Sequence, residues 1–446
     1  MTPSLSEKIQ RIAAALLPDF SHVTLAELKG SSPAFLLAGL LPVISAPCVI
    51  LTPDTDTADE FFRELRVYAD RPEGVFRFPA WETSPFEQSS PHPDVSGERL
   101  RALAALQEGR ARAVVAPAFA LMQRVIPRCL LGEHSQYLVA GEEVQRDRLL
   151  RKLVDLGYSM VPLVEDRGTA SVRGGIVDIF PPDLQAPVRI EFFGDLIESI
   201  RSFDPVTQRS LHPLDELVIL PSREIILSEE VIRDFSPRLK DRSDQLGIPA
   251  TRRRDLVEQL QNAICPPGIE YLQPLIHPGL ETLFQYAGAG AVLVEIDPLA
   301  VLEAEECFRE EVLEAEQRAA ESHSLVCAAD DLFLATEQFR EMKRAYRRIG
   351  VPRLELVEEA DAALLLRFAG EDNSDLKLAL SPDSEGVLRP LVERVVEWLG
   401  AHIRVSVVCH QWSQVQRLQE LLGHYGVPLS VSEGRFCETH HDSSSV

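Results

Sequence analysis

The sequence predicts an α/β protein: a parallel sheet with helices on both faces, an inserted antiparallel α+β domain, and a separate small α/β domain after them. Between residues 22 and 130, short apolar runs alternate with segments of helical period, an order typical of a parallel sheet. From about residue 135, strand-like runs follow one another without a helix-length segment between them. Near residue 250 the helical segments return around one further buried strand.

The first unit supplies four candidate strands and four candidate helices. The strands are VTLAEL, CVILT, VFRF and AVVAP, and helices fit best near 34–41, 56–69, 95–108 and 117–124. Residues 30–53 carry no charge and are long enough to cross a bilayer, but Pro33, Pro42 and Pro47 interrupt them. They therefore predict a short buried helix followed by a buried strand. The segment WETSPFEQSSPHPDVSG (81–97) predicts a loop over the sheet because it is rich in Pro and Ser.

The later units follow in the same way. DRLLRKLVDLGY predicts a helix, and the antiparallel strands expected after it are SVRGGIVDIF (171–180), VRIEFF (188–193), LIESIRSF (196–203) and ELVILP (216–221). The strand AVLVEI (291–296) precedes helices at about 298–321 and 331–348. The last unit combines PRLELVE, ALLLRF, a helix at 387–399, IRVSVVC, a helix at 412–424 and VPLSVSE.

These patterns divide the chain into four segments. The predicted segments are 1–132 (first half of the parallel-sheet domain), 133–222 (the insert), 223–348 (second half) and 349–446 (a small α/β domain, expected to be incomplete). Because the last unit stops abruptly, we expect the chain to be the front part of a longer protein.

Charge and cysteine content restrict the function classes. The formal net charge of −24 opposes binding of a phosphate backbone unless a local basic patch exists. The seven cysteines include no C-x-x-C pair, which indicates free thiols in a reducing cytosol. Cys437, His440, His441 and Asp442 form one candidate metal cluster, although a frayed polar terminus is the simpler explanation. The N-terminus has no signal-peptide pattern, so a cytoplasmic protein without a membrane segment is expected.

The stretch KGSSPAFLLAGLL (29–41) begins like a phosphate-binding loop but does not continue like one. A working loop needs Gly-Lys-[ST], and here Phe35, Leu36 and Leu37 stand in that place. None of the six lysines of the chain follows a glycine. Helix N-terminal amides at Gly30, Ser31 and Ser32 still leave phosphate binding open, although a simple helix cap is the favoured interpretation.

The acidic strand end that would hold magnesium is also altered. AVLVEI ends in Glu295-Ile296-Asp297-Pro298, which lacks the D-E-x-[DH] pattern of a nucleotide-hydrolysing sheet. The chain has no G-x-S-x-G, H-E-x-x-H or G-x-G-x-x-G after a strand either. We therefore predict no catalytic residue, no metal site and no cofactor for this chain.

The strand VRIEFF suggests a binding surface instead. Its period of two places Arg189, Glu191 and Phe193 on the face opposite its apolar core residues, and Arg173 in the neighbouring strand joins that face. An aromatic side chain beside arginines is a combination favoured at protein interfaces. The alternative is that Phe193 belongs to a second core layer and the charges form an ordinary solvated face.

SVRGGIVDIFPP and VRIEFFGDLIESIRSFDPVTQRS resemble the UvrA-binding domain shared by the excision-repair protein UvrB and the transcription-repair coupling factors (Mfd). WETSPFEQSSPHPD, LMQRVIP and GIEYLQPL resemble the coupling factors more than UvrB. The resemblance covers about 20–345, and the unit after 350 occupies the place of the coupling factor's third domain. It implies a degenerate P-loop, helicase-like sheet, with the phosphate loop (Gly30, Ser31, Ser32, Phe35, Leu36, Leu37) and the acidic strand end (Glu295, Asp297) both inactive.

The same resemblance implies a partner and a role. Arg173, Arg189 and Phe193 match positions at which the family contacts UvrA, and Glu191 matches an acidic position beside them; Ser171 stands where UvrB has a further arginine. The implied role is recruitment of UvrA and the excision machinery to lesions where RNA polymerase has stalled. RNA polymerase and DNA contacts, and the motor that uses ATP and magnesium, would lie beyond residue 446.

Two alternatives remain open at this point. The first is an active ATP-dependent DNA repair helicase of UvrB type, against which the missing Gly-Lys dipeptide weighs heavily. The second is a purely structural domain that masks its neighbours.

Overall fold

A computed structural model describes residues 5–17, 22–353, 364–368 and 389–431, except 404, 408, 410 and 428. The strands are β1 (His22–Ala26), β2 (Cys48–Thr52), β3 (Val75–Arg77), β4 (Ala113–Pro117), β5 (Gln136–Val139), β6 (Ser159–Met160), β7 (Thr169–Arg173), β8 (Ile176–Phe180), β9 (Val188–Phe193), β10 (Leu196–Phe203), β11 (Ser210–Leu214), β12 (Glu216–Ile219), β13 (Val292–Ile296), β14 (Arg347–Val351) and β15 (Leu364–Arg367).

The helices of the described residues lie between and after these strands. They are α1 (Leu5–Ala15), α2 (Ser32–Leu40), α3 (Thr55–Tyr68), α4 (Pro93–Gln107), α5 (Ala118–Met122), α6 (Arg128–His134), α7 (Arg146–Asp155), α8 (Glu229–Gln245), α9 (Ala250–Gln261), α10 (Gln273–Ile276), α11 (Leu283–Ala287), α12 (Pro298–Glu321), α13 (Ala329–Leu332), α14 (Thr336–Arg344), α15 (Arg389–Gly400) and α16 (Trp412–Gly423), with 3₁₀ turns at Pro72–Gly74 and Ile269–Leu272.

A seven-stranded parallel sheet forms the body of the molecule. Its strand order is β15-β1-β14-β13-β2-β4-β3. Alternate residues of one strand enter two different cores, so that Val49 packs on one face of the sheet and Ile50 on the other. Burial of both faces explains why CVILT is a continuous apolar run rather than an alternating one. The predicted fold class is confirmed.

The insert is built on a second sheet, in the order β11-β10-β9-β8-β7-β6. Its inner face packs, together with α7, into a separate core. The chain enters the insert through β5 and leaves it through β12, and these two strands pair antiparallel, Glu216 opposite Val139. That pairing brings the two ends of the insert together. ELVILP therefore belongs to this two-stranded connection and not to the antiparallel sheet as predicted.

The single predicted strand SVRGGIVDIF is two strands, β7 and β8, joined by a tight turn. Gly174 in this turn has a φ of +60°, which favours glycine. A Cβ atom on Gly175 would lie 2.6 Å from the carbonyl oxygen of Phe192, so that position also requires glycine.

Several contacts hold the insert against the body. A Cβ atom on Gly97 of α4 would lie 2.4 Å from Pro182 of the insert, so helix and loop touch directly. Arg167 of the insert forms an ion pair with Asp94 at 3.1 Å. These contacts give the insert a defined orientation on the parallel-sheet domain.

Within the parallel-sheet domain, the fully buried Arg99 binds Glu224 and joins the first half of the domain to the second.

The end of the parallel sheet differs from the prediction. The helix expected at 331–348 is two short helices, α13 and α14, followed by β14. The sequence of β14, RRIGV, has only two apolar side chains, so an apolar-run criterion missed it. ALLLRF supplies β15, which pairs with β1 at the edge of the same sheet, and the sheet thus continues past the boundary predicted at 348.

The terminal region is only partly described. The helices predicted at 387–399 and 412–424 are present as α15 and α16. Most of PRLELVE and the cluster of Cys437, His440, His441 and Asp442 lie outside the described residues. Of IRVSVVC, the described residues are not in a strand.

Candidate partner-binding surface

The outer face of the insert sheet brings together the residues predicted from VRIEFF. In the register of β8, β9 and β10, Asp178 lies opposite Arg189, Ile176 opposite Glu191, and Leu196 opposite Phe193. The intervening residues of β9 point into the insert core and are almost inaccessible. The predicted alternation of β9 is thus observed, and it leaves one face for solvent or a partner.

Asp178 is the centre of this face. Its carboxylate is 1% exposed and receives two hydrogen bonds from Arg189, Nε to Oδ1 at 2.7 Å and Nη2 to Oδ2 at 3.0 Å. Arg173 donates from Nη2 to Oδ2 at 2.7 Å. One buried carboxylate therefore orders both arginines and neutralises one of their two charges.

Arg189 is largely engaged within the insert. Its guanidinium lies 4.7 Å from the centroid of the Phe203 ring, and Nη1 donates to the carbonyl of Gln208 at 3.4 Å. Its side chain is 16% exposed, against 47% for Arg173. Hydrogen bonding to Asp178 raises the pKa of Arg189. Arg173 accordingly offers a partner more free N–H donors than Arg189 does.

The acidic position on this face also has partners. Glu191 accepts a hydrogen bond from the hydroxyl of Ser199 at 2.6 Å and lies 3.7 Å from Nη2 of Arg201. The side chain of Arg201 is 46% exposed. Glu191 and Arg201 therefore continue the charged face from β9 onto β10.

Phe193 ends β9 and is 74% exposed. The turn after it begins at Gly194, whose φ is +66°. The alternative that Phe193 fills a second core layer is thus wrong, because its ring is mostly exposed. A ring this exposed, at the end of a face that carries ordered arginines, is suited to anchor an interface.

The end of the outer face that lies away from Phe193 is covered by other residues of the insert. Val164, Phe180 and Phe203 form a small buried cluster there. Ser171, which replaces an arginine of UvrB by the sequence resemblance, is 2% exposed and donates to the carbonyl of Pro162 at 3.0 Å. The accessible part of the face is consequently the end that carries Phe193.

The segment predicted to be a degenerate phosphate loop runs from the end of β1 into α2, and its hydroxyl groups are engaged within the chain. Ser31 bonds the hydroxyl of Tyr68 at 3.0 Å, and Ser32 bonds both backbone groups of Lys29. Ser31 is the N-cap residue of α2, as a helix cap at this position requires, but its side chain accepts no hydrogen bond from a helix amide. Gly30 has a φ of +56°, which favours glycine at the turn.

The residues in place of Gly-Lys-[ST] are apolar and packed. Leu36 and Leu37 are buried in the core of the parallel sheet, and Phe35 stacks edge-on against Tyr68 with centroids 5.3 Å apart. No cationic side chain occupies these three positions, so the loop does not fit the terminal phosphates of a nucleotide.

The acidic strand end does not fit magnesium either. Oε1 of Glu295 accepts a hydrogen bond from Nζ of the buried Lys343 at 2.8 Å, and the same ammonium bonds Glu305. Asp297 lies just beyond β13 at a φ of +55°, at the N-terminus of α12, with no side-chain cap bond. The carboxylate of Glu295 is therefore paired with a lysine of α14, which it shares with Glu305, and is not free to bind a metal ion.

Sequence reasoning missed three residues of these sites: Asp178, Arg201 and Lys343. The signal for Arg201 was ambiguous, because a bulge between Ile197 and Ser199 breaks the period of two in LIESIRSF and only the local alternation with Ile200 places Arg201 on the outer face. Asp178 stands in an apolar run that suggests only core, and Lys343 is 48 residues from Glu295. Neither the pairing of Asp178 with Arg189 nor that of Lys343 with Glu295 has a local signal in the sequence.

The described residues contain neither a candidate membrane-spanning helix nor a candidate metal site. No helix there is long and apolar enough to cross a membrane. Within the same ranges, no group of three or more His, Cys, Asp or Glu side chains has a metal-binding arrangement.

Comparison with known proteins matches the insert to the UvrB interaction domain family, over residues 137–225. The chain is 32% identical to a transcription-repair-coupling factor of Myxococcus xanthus over 418 residues, 91% of this chain and 35% of the relative. It is 32% identical over 276 residues to the factor of Escherichia coli K12 (62% of this chain, 24% of the relative). It is 36% identical over 241 residues to that of Mycobacterium bovis (52% and 19%). The chain thus spans 35% or less of each of these relatives.

Proposed function

Because the chain is a relative of the transcription-repair-coupling factors and contains a UvrB interaction domain, we propose that it recruits UvrA and the excision-repair machinery to lesions where RNA polymerase has stalled. The proposed contact is direct and uses the outer face of β8, β9 and β10. RNA polymerase, DNA and an ATP-driven, magnesium-dependent motor are assigned to the part of the relatives that this chain does not span. The proposed location is the cytoplasm.

One observation carries the proposal. Within the matched residues, Phe193 projects 74% exposed from the end of a face whose arginines are held in place by Asp178. Ordered arginines lose little side-chain freedom on binding, and an exposed aromatic ring supplies contact area. An ordinary solvated strand face needs neither feature.

We further propose that this chain does not hydrolyse nucleotides. The support is chemical: Phe35, Leu36 and Leu37 stand where a phosphate loop carries Gly-Lys-[ST], and Glu295 is bound by Lys343. The UvrB-type helicase stays the alternative function, and it requires turnover of ATP.

The test is titration of purified UvrA with this chain, wild type against Phe193→Ala, with ATP turnover followed in the same samples. We expect saturable binding that Phe193→Ala weakens at least tenfold, without ATP turnover by this chain above the UvrA background. Val206→Ala is the matched control, since Val206 is an exposed apolar residue of the same insert that lies in the turn after β10. Equal affinities of wild type and Phe193→Ala would contradict the proposed surface, and turnover by the chain would support the helicase.

A further inference from the structure

A shallow depression of about 440 Å³ lies at the end of the insert sheet that carries Phe193. One wall is the first two turns of α7. The other is formed by the β7–β8 turn at Gly175 and the β9–β10 turn at Gly194 and Asp195. Phe192 and Gly194, the chain neighbours of Phe193, both line it. The depression is therefore adjacent to the exposed end of the proposed UvrA-binding face.

Three arginines of α7 line this depression, and one of them, Arg146, also holds its two walls together. Arg146 donates from Nη1 to the carbonyl of Gly174 at 2.9 Å, and its backbone N–H donates to Asp195 at 3.2 Å. It also pairs with Asp147 at 3.2 Å. Arg146 thus ties the helix to both turns and fixes the shape of the depression.

Arg148 and Arg151 have no comparable structural task. Both are exposed, and neither guanidinium group has an ion-pair or hydrogen-bond partner among the described residues. They lie three residues apart on one helix, so their side chains project to the same side and repel each other. Arg148 also lies in the first turn of α7, where a positive charge opposes the helix dipole. Helix stability therefore does not explain this pair.

The guanidinium groups of Arg148 and Arg151 favour a carboxylate as their ligand. A guanidinium group pairs with a carboxylate in a planar, two-bond geometry. In a chain of net charge −24, two unpaired arginines beside an aromatic anchor form a local positive site for an acidic group.

We propose that the UvrA-docking surface continues from the sheet face, around the β9–β10 turn, onto α7, where Arg148 and Arg151 receive a carboxylate-bearing segment of UvrA. This inference rests on the proposed function and extends it. Phe193 supplies the apolar anchor, and the α7 arginines supply an electrostatic contact that salt weakens.

The test is titration of UvrA with Arg148→Glu/Arg151→Glu at low and at physiological salt. We expect at least tenfold weaker binding at low salt and a smaller difference at high salt. The matched control is Lys240→Glu/Arg254→Glu, which makes the same change in net charge at two exposed α8 and α9 residues without ion-pair partners among the described residues. Arg148→Gln/Arg151→Gln, which removes charge without reversing it, should give an intermediate loss.

The outcomes separate the two proposals. If Phe193→Ala weakens binding but the α7 variants bind like the control pair, the extension onto α7 is wrong and the proposed function stands. If Phe193→Ala binds like wild type, the proposed surface itself is wrong. Thermal unfolding of each variant checks folding, and since both α7 side chains are exposed and Arg148 opposes the helix dipole, no fall in midpoint is expected.

Discussion

The carboxylate of Asp178 holds Arg189 by two hydrogen bonds, of 2.7 and 3.0 Å, while itself being 1% exposed. A buried carboxylate needs such partners, because an unpaired charge in that position would lose its hydration without compensation. Arg173 completes the arrangement from β7. The proposed binding face is therefore organised by a residue that a partner cannot reach.

Replacement of Asp178 should disturb both folding and binding. Asp178→Asn leaves one acceptor oxygen in place of two and removes the negative charge that balances the arginines. We expect a loss of about 1–3 kcal/mol in the free energy of unfolding, measured by urea denaturation, together with weaker UvrA binding. Asp241→Asn, at an exposed position of α8, is the control and should leave both quantities unchanged. A stable Asp178→Asn variant with wild-type UvrA affinity would refute the organising role.

Arg189 and Phe193 should differ in what their removal costs. Arg189→Ala leaves Asp178 with Arg173 alone and removes the packing on Phe203, so we expect both a lower denaturation midpoint and weaker UvrA binding. Phe193→Ala removes an exposed ring and should weaken UvrA binding without moving the midpoint. The two measurements on both variants form the test. Loss of stability in Phe193→Ala would mean that this ring is part of a core.

Lys343, which binds Glu295 at the end of β13, should contribute strongly to the stability of the fold. Lys343→Met leaves Glu295 and Glu305 buried side by side without their shared ammonium, although Arg340 still contacts Glu305. We expect a loss of about 3–5 kcal/mol in the free energy of unfolding at neutral pH. Urea denaturation measures this loss, and Lys240→Met, at an exposed position of α8, is the control. Adding Glu295→Gln should restore part of the loss, and an unchanged stability in Lys343→Met would show that the cluster is not a closed ion network.

His277 should make the stability of the protein depend on pH. It is 2% exposed and its Nε2 accepts the backbone N–H of Ile226 at 3.0 Å, so burial lowers its pKa from about 6.5 to about 3. Between those values the unfolded chain binds a proton that the folded chain does not, and stability falls as pH falls.

We expect wild type to lose about 1–2 kcal/mol more than His277→Gln in unfolding free energy between pH 7 and 5. Denaturation curves at several pH values measure this difference. His212→Gln, at an exposed position, should follow the wild-type dependence. Parallel curves for wild type and His277→Gln would contradict the assignment.

Local pattern predicted much of this fold, and the exceptions share a cause. CVILT and the helix at 298–321 were predicted with the observed bounds, because a continuous apolar run and a helical period are signals within the segments themselves. β14 was missed because its neighbours, not its own side chains, make it a strand. The outward direction of Arg189 and Phe193 followed from period, whereas the engagement of Arg189 by Asp178 depends on pairing between two strands. Assignment of these residues to UvrA binding stays a prediction.

Hydrogen exchange of the chain with and without UvrA tests the central claim most directly, because it maps the contact without any substitution. We expect slower exchange on UvrA addition in 169–203, strongest around the β9–β10 turn, and no change in the loop at 29–37. Protection confined to the parallel-sheet domain, with the insert unaffected, would contradict recruitment of UvrA through the insert face.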